Sequence, residues 1–545
     1  MYKSCKTFLV LALLCALPSV AADAERHILT MLPMEDGTKL ATEVWMPEKG
    51  EGPWPVVLCR STYSRPAGFV KDFVKRGYVG VIQDIRGMHD SEGKPRVFYS
   101  EGWREGFQDG PATVDWILAQ PWCDGKVATF GGSALGITQI LLAPATQNLT
   151  AQVITVAPDR LYGYVSYQGG VLRKSMVEGW MTAIQQPHMI PEYKTHTLDD
   201  DYWSYYNSSA RARDITAPTV FVGGWYDIFQ QGTLDAFRAW EEDGGESAKG
   251  QNYLIMNWAA HGPDKSPDYA FPENRHDFRI SEVYKKFYQY HLDGQRKALD
   301  DVAKVNYYVM GADTPGAPGN EWRTADAWPP YETEATTFYL HPAGALSGEK
   351  PEADDSARTY TYDPEVPVKT HGGANLLMAM GPYDQREVST RDDVLKFEST
   401  ELDAPMEITG RVTVQLQIST DAPDTDFTAK LVDIHPEGDG RELLLLDGIR
   451  RVKTRNGYDK NAPLLDNAEE VVTVEIDLWS TAWIFDKGHK IGLHISSSNY
   501  PRFEKNPNTG ADFPVEGEPM RKARNTIHTS SAHPSVLILP VRPAQ

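Results

Sequence analysis

Gly131-Gly132-Ser133-Ala134-Leu135-Gly136 follows a β-rich run, Lys126 to Phe130, and precedes a helical pattern starting at Ile137. Strand, tight glycine turn, serine and helix together make the setting of a nucleophile elbow. The turn is strained, glycine allows close backbone approach, and the helix N-terminus favours negative charge developing beside the serine. The common spacing G-x-S-x-G is displaced here, because Leu135 holds the last position and glycine arrives at Gly136. Taken alone, such a turn fits an idle serine as well as a nucleophile.

A serine hydroxyl is a poor nucleophile at neutral pH and needs a histidine base, itself oriented by a carboxylate. In an α/β-hydrolase the order is serine, acid, histidine, each beyond the C-terminal end of a strand. The run Thr219 to Val222 leads into Gly223-Gly224-Trp225-Tyr226-Asp227, and Tyr253 to Met256 leads into Asn257-Trp258-Ala259-Ala260-His261-Gly262. Asp227 and His261 therefore occupy equivalent places after successive strands and are the candidate acid and base. His276 lies farther out in a polar loop, and His89 precedes the serine, in the wrong chain order.

The oxyanion of acyl transfer needs donors. The backbone N–H of Ala134, directly after the serine, is one. A second is expected from the loop after Val56 to Cys59, which reads Arg60-Ser61-Thr62-Tyr63-Ser64-Arg65 and has no glycine-rich run. A side-chain donor, the Tyr63 hydroxyl, is the candidate there; an ordinary packed tyrosine is the alternative. There is no H-E-x-x-H, cysteine cluster, dinucleotide fingerprint or P-loop, so neither metal nor cofactor is expected.

Positioning these groups requires a mainly parallel sheet, and the order of elements fits one. Short β-rich runs (Val56 to Cys59, Tyr78 to Ile82, Lys126 to Phe130, Val153 to Val156, Thr219 to Val222, Tyr253 to Met256) alternate with helical patterns at Gly110 to Leu118 and Glu282 to Leu292. The Tyr- and Trp-rich stretch 159–214 breaks the alternation and reads as an inserted helical cap, with a long crossover as the alternative. Beyond Met310 come Gly-, Pro- and Asp-rich turns, then period-two runs. Val412, Val414, Leu416 and Ile418 alternate with polar residues, as do Val472, Val474, Ile476 and Leu478, and Ile491 to Ile495 continues the theme. These predict a β-sandwich of jelly-roll kind. The expected division is a signal peptide over 1–22, an α/β-hydrolase domain over 23–158 and 215–330, the cap over 159–214, and the jelly roll over 331–545.

These residues resemble a known family, the cocaine esterase and X-Pro dipeptidyl-peptidase group of S15-like hydrolases, which includes α-amino acid ester hydrolases and glutaryl acylases. The matching segments are Tyr63 in its loop, Gln83-Asp84-Ile85-Arg86-Gly87 with Ser91-Glu92-Gly93, and Trp122-Cys123-Asp124-Gly125. Gly131-x-Ser133-x-x-Gly136, Gly224-Trp225-Tyr226-Asp227 and His261 complete the set. The late Gly136 fits this family's version of the elbow. The resemblance covers nearly the whole mature chain and implies hydrolase, helical cap and jelly roll. It also implies Ser133 as nucleophile, Asp227 as acid, His261 as base, and Tyr63 and Ala134 as oxyanion donors. The family usually carries tyrosine directly after the nucleophile; Ala134 keeps the backbone donor and removes a bulky wall of the acyl pocket.

The 545 residues carry a formal net charge of −21, and losing Lys3 and Lys6 with a leader makes the mature chain two charges more negative. Such a field disfavours nucleic acid and anionic membrane as partners. Lys3 and Lys6, the apolar run Phe8 to Leu17, and the small residues Val20-Ala21-Ala22 have the layout of a secretory leader cut after Ala21 or Ala22. A secreted or periplasmic protein follows. Cys59 and Cys123 alone remain in the mature chain, and buried free thiols are expected rather than a bridge.

The function expected is hydrolysis of a small-molecule ester or amide through an acyl-enzyme on Ser133, by a carboxylesterase or acylase with esters preferred. Dipeptidyl-peptidase or α-amino acid ester hydrolase activity is the alternative; it needs carboxylates for a substrate ammonium, which Asp199, Asp200 and Asp201 could offer. Trp180, Trp225, Tyr226, Phe229 and Trp258 form either an apolar acyl pocket or ordinary core. A catalytically inactive glycan-binding protein is a third reading, opposed by the complete triad. Asp84 and Arg86 are read as backbone supports. Homo-oligomerisation stays open.

Overall fold

A computed structural model describes residues 26–263 and 265–543, so the leader expected over 1–22 lies outside the described residues. The chain divides into two compact units. Among the described residues, one comprises those up to Ile154 with Asp214–Pro218 and Phe287–Ala298; the other comprises Thr155–Arg213, Thr219–Lys286 and those from Leu299 onward.

The first unit is built on β1 (His27–Pro33), β2 (Lys39–Trp45), β3 (Trp54–Ser61), β4 (Val79–Asp84) and β5 (Cys123–Gly132). β1 and β2 form an antiparallel hairpin, β2 runs antiparallel to β4, and β4, β3 and β5 are parallel neighbours. Parallel strands need crossovers, and the helices α1 (Gly68–Lys75) and α2 (Asp109–Leu118) supply them. Val56, Val57, Leu58, Val79, Val81 and Val127 are wholly buried, as strands covered on both faces require. The hairpin and α1 are not singled out by the sequence, because β1 lacks a clean alternation of apolar and polar residues and α1 spans just eight residues. Cys59 is a free, buried thiol whose pKa burial pushes up to about 12; Cys123 is free and half-buried.

Beneath the C-terminal end of β3 lies a buried polar knot. Arg60 pairs with Glu101 through Nε–Oε2 at 2.7 Å and Nη2–Oε1 at 2.9 Å, and it also donates to Thr113 at 2.9 Å and to the Gln83 side chain. Arg86 grips Asp109 at 2.8 and 2.7 Å and also reaches Asp36, while Asp84 takes Arg65. The charged residues ending β4 thus hold backbone and loops together.

In the second unit β6 (Thr219–Tyr226), β7 (Tyr253–Ala260) and β8 (Val305–Gly311) are parallel neighbours. Residues 155–213 contain the helices Lys174–Ala183, Ile190–Thr195 and Asp201–Ser204, with Tyr167–Gln168 and Val171–Leu172 as a minimal antiparallel pair. Its aromatics chiefly pack on one another: Trp203 lies edge-on to Tyr162, Tyr167 and Tyr193 at 5.5–6.3 Å between centroids. The C-terminal part has an antiparallel four-stranded sheet (Leu395–Glu398, Lys490–Ser496, Asp426–Ile434, Glu442–Arg451). A second sheet is centred on β9 (Met406–Thr420), which pairs with Val472–Phe485, Ala523–His528 and Val536–Val541. Val412, Val414, Leu416 and Ile418 are fully buried, which is the period-two face read in the sequence. Among the described residues no helix is long and apolar enough to cross a membrane.

Because Arg60 and Glu101 are each almost wholly buried, removing one strands the other's charge. Glu101→Ala is expected to lower unfolding stability by about 3–5 kcal/mol. Urea unfolding measures it, and a loss below about 1 kcal/mol would show that the knot is not what holds this end of β3.

Candidate active site

Ser133 sits between β5 and the helix α3 (Ala134–Leu142) with φ 55° and ψ −125°, a conformation that L-residues rarely adopt. Such strain persists only where its surroundings enforce it. Here Gln139 does so from the second turn of α3, donating at 3.0 Å to both Gly131 O and Leu135 O and accepting from Thr129 at 2.6 Å. The glycine spacing also finds its reason. A Cβ on Gly131 would lie 2.6 Å from the Leu135 Cβ and 3.0 Å from Leu135 O, so Gly131 must be bare once residue 135 carries any side chain. One missing side chain is enough for the close approach that G-x-S-x-G secures with two.

Leu135 is buried with Cys59, Val70 and Ile82, and the half-buried Tyr63 packs on that same cluster. The Tyr63 loop is held from several sides. Tyr63 N donates to Ser61 Oγ at 2.9 Å, His89 Nε2 bonds Thr62 O at 3.0 Å, and Arg65 reaches Glu43 at 3.2 Å and Asp90 at 2.7 Å. Ala134 is the first residue of α3, where backbone N–H groups have no intrahelical acceptor. Ser133, Ala134 and Tyr63 all belong to the first unit.

In the second unit, strand register sets the pair that sequence order suggested. Tyr226 of β6 is directly opposite Ala260 of β7, so the next residue on each chain, Asp227 and His261, leaves the sheet at the same level. His261 Nδ1 lies 2.6 Å from Asp227 Oδ2, and Phe229 N donates to Asp227 Oδ1 at 2.7 Å. Asp227 is fully buried, and both of its oxygens are hydrogen-bonded. Gly224 is needed where these strand ends crowd: a Cβ there would come 2.3 Å from Ala259 O. With Nδ1 committed to the carboxylate, proton transfer falls to Nε2.

The aromatic candidates separate. The Phe229 ring meets His261 edge-on at 5.4 Å, and Trp180 lies half-buried on Lys174–Ala183. Trp225 donates to Tyr308 O at 2.6 Å, Tyr226 donates to Leu444 O at 2.8 Å, and Trp258 is boxed by Tyr308 and Trp322. Those three are committed to packing strand ends. Asp200 accepts from Tyr202 N at 3.0 Å and pairs with His196 at 2.8 Å, so it is occupied in capping a short helix. His276 is exposed, edge-on to Trp258. The sequence reading missed the two groups that fix the Asp227 loop, the Phe229 amide and the Arg173 guanidinium that donates to Ile228 O at 3.0 Å. Backbone bonds carry no residue-type signal, and an arginine at a cap helix start reads as solvated.

Asp433, His435 and His489 are the grouping with metal-ligand chemistry among the described residues, their donor atoms within 4.8 Å of one another. Asp433 already accepts from His489 at 2.7 Å and from Trp483 at 3.1 Å, so both of its oxygens serve the sandwich core.

Comparison with known proteins agrees with this architecture. Residues 36–193 and 180–263 match the X-Pro dipeptidyl-peptidase (S15 family), and residues 297–538 match the X-Pro dipeptidyl-peptidase C-terminal non-catalytic domain. Cocaine esterase of Rhodococcus sp. (strain MB1 Bresler) is 33% identical over 94% of this chain and 97% of that protein. A putative serine esterase of Mycobacterium tuberculosis (strain CDC 1551 / Oshkosh) is 23% identical over 93% of this chain and 94% of its own. Among solved structures, an α-amino acid ester hydrolase superposes with a TM-score of 0.79 at 24% identity, covering 98% of this chain and 100% of that one. An aminopeptidase from a marine sediment Thaumarchaeota archaeon gives 0.78 at 21% identity, covering 94% and 96%. The likeness to cocaine esterase, sustained along almost the entire sequence, shows that the chain belongs to the cocaine esterase and X-Pro dipeptidyl-peptidase family of serine hydrolases.

Proposed function

We propose that this protein is an exported esterase that cleaves a small-molecule acyl ester through a covalent intermediate on Ser133, with His261 as base and Asp227 as orienting acid. The buried 2.6 Å Asp227–His261 hydrogen bond carries the reading, because a carboxylate on Nδ1 fixes the tautomer and supports the imidazolium formed when the serine is deprotonated. The left-handed backbone at Ser133 is the second support, since an elbow holds its hydroxyl clear of the strand.

In the reaction His261 takes the Ser133 proton as the hydroxyl oxygen attacks the acyl carbon. The oxyanion is met by the Ala134 N–H and the Tyr63 hydroxyl. His261 then gives its proton to the departing alkoxide, and water, deprotonated by His261, releases the acid. Phe229 and Trp180 are the aromatics proposed to meet the acyl group. The ester preference is favoured over an aminopeptidase-like one because Asp200, central to the acidic run, already serves Tyr202 and His196. Export rests on the leader pattern of 1–22, and no metal, cofactor or nucleic-acid partner enters the scheme.

A fluorophosphonate probe should label the protein, and Ser133→Ala should abolish labelling; a labelled alanine variant would place the nucleophile elsewhere. Tyr63→Phe should lower kcat about 10²–10³-fold with little change in KM; unaltered kcat would remove Tyr63 from the oxyanion site. A p-nitrophenyl ester should turn over faster than an X-Pro anilide, and the reverse order would favour the peptidase reading.

A further inference from the structure

Arg173, just ahead of the helix Lys174–Ala183, is 1% exposed, and among the described residues it has no carboxylate within ion-pair reach. The comparably buried arginines Arg60, Arg451 and Arg502 have theirs: Glu101 at 2.7 Å, Asp426 at 2.8 Å, and Asp447. An unpaired buried cation is costly, so its position calls for a reason. Its Nη1 donates to two carbonyls, Tyr164 O and, at 3.0 Å, Ile228 O, while Nε has no partner among the described residues. The guanidinium lies 5.4 Å from the centroid of the Trp479 ring.

Ile228 stands between Asp227 and Phe229, whose amide holds Asp227 Oδ1, so Arg173 fastens the turn that carries the acid. The charges facing it are few. Asp447 and Arg502 are paired with each other, and Lys174 beside it is taken by Glu178 and Glu504 at 2.8 Å. The Tyr164 hydroxyl is bound to Asp235 and the Tyr226 hydroxyl to Leu444 O. Burial pushes the Arg173 pKa down to about 9, which still leaves it charged at neutral pH, and Asp227 and Asp447 oppose the fall.

We propose that Arg173 is a positioning residue for the Asp227–His261 pair: it pins the acid loop through the Ile228 carbonyl, so that the Phe229 amide and His261 meet the two oxygens of Asp227. The inference rests on His261 being the base.

The test is kcat and KM for a p-nitrophenyl ester in the wild type, Arg173→Met, Arg173→Gln and Arg173→Lys. Glutamine keeps a donor for the carbonyl without charge; lysine keeps charge without the fork; methionine keeps neither. Arg173→Met should lower kcat about tenfold or more with KM little changed, and the Gln and Lys variants should each recover part of the loss. Wild-type kcat in folded Arg173→Met, or a KM that rises as far as kcat falls, would overturn the proposal. Should Arg173→Met not fold, the other two decide: a lowered kcat at unchanged KM in either carries the proposal, and its absence from both overturns it. His261→Ala is the control that separates the two readings: turnover surviving in it would sink the assignment of the base, whatever Arg173 does.

Discussion

A carboxylate taken out of water has to find hydrogen-bond donors for both oxygens, and Asp227 finds them within two neighbouring turns. The Phe229 amide serves one oxygen and the His261 imidazole the other. That arrangement depends on two parallel strands ending level, with Tyr226 opposite Ala260. A slip of one residue would carry the histidine away from the carboxylate and leave a buried charge unpaired. Gly224, with no room for a Cβ, and the bulge between Asn257 and Ala260 are local adjustments that let the two chain ends turn off together.

The elbow at Ser133 depends on a different economy. A serine at positive φ is held there by contacts on either side: the Gln139 amide bridges the strand end and the first turn of the helix, and Leu135 fills the space that Gly131 leaves. The same Leu135 cluster receives Tyr63, whose loop is tied down by Arg65 above and by the Arg60–Glu101 knot at its base. Charged residues thus do in this unit what a larger apolar core does elsewhere: they fix loop backbones that have no strand partners.

The cap and the sandwich show where aromatic content goes. Tyrosines and tryptophans of 155–213 mostly pack against each other, and Trp225, Tyr226 and Trp258 secure strand ends. An aromatic side chain buries the same surface whether it lines a pocket or a core, so residue type alone cannot separate the two uses.

The sequence by itself determined the order of elements, the period-two faces of the sandwich, the serine in its glycine turn, and the acid and histidine after successive strands. These are local: periodicity, turn chemistry and chain order are written in consecutive residues. Tertiary structure decided what consecutive residues cannot encode. Strand register brought Asp227 to 2.6 Å from His261, although 34 positions separate them in the chain. Packing across the elbow explained why Gly131 suffices where two glycines are customary, and burial set Phe229 against His261 while withdrawing Trp225 into the core. Arg173 was invisible for the same reason. Its bond to the Ile228 carbonyl forms only when folding brings the start of the Lys174–Ala183 helix against a loop 55 positions along the chain, and that approach belongs to the assembled fold rather than to any stretch of sequence.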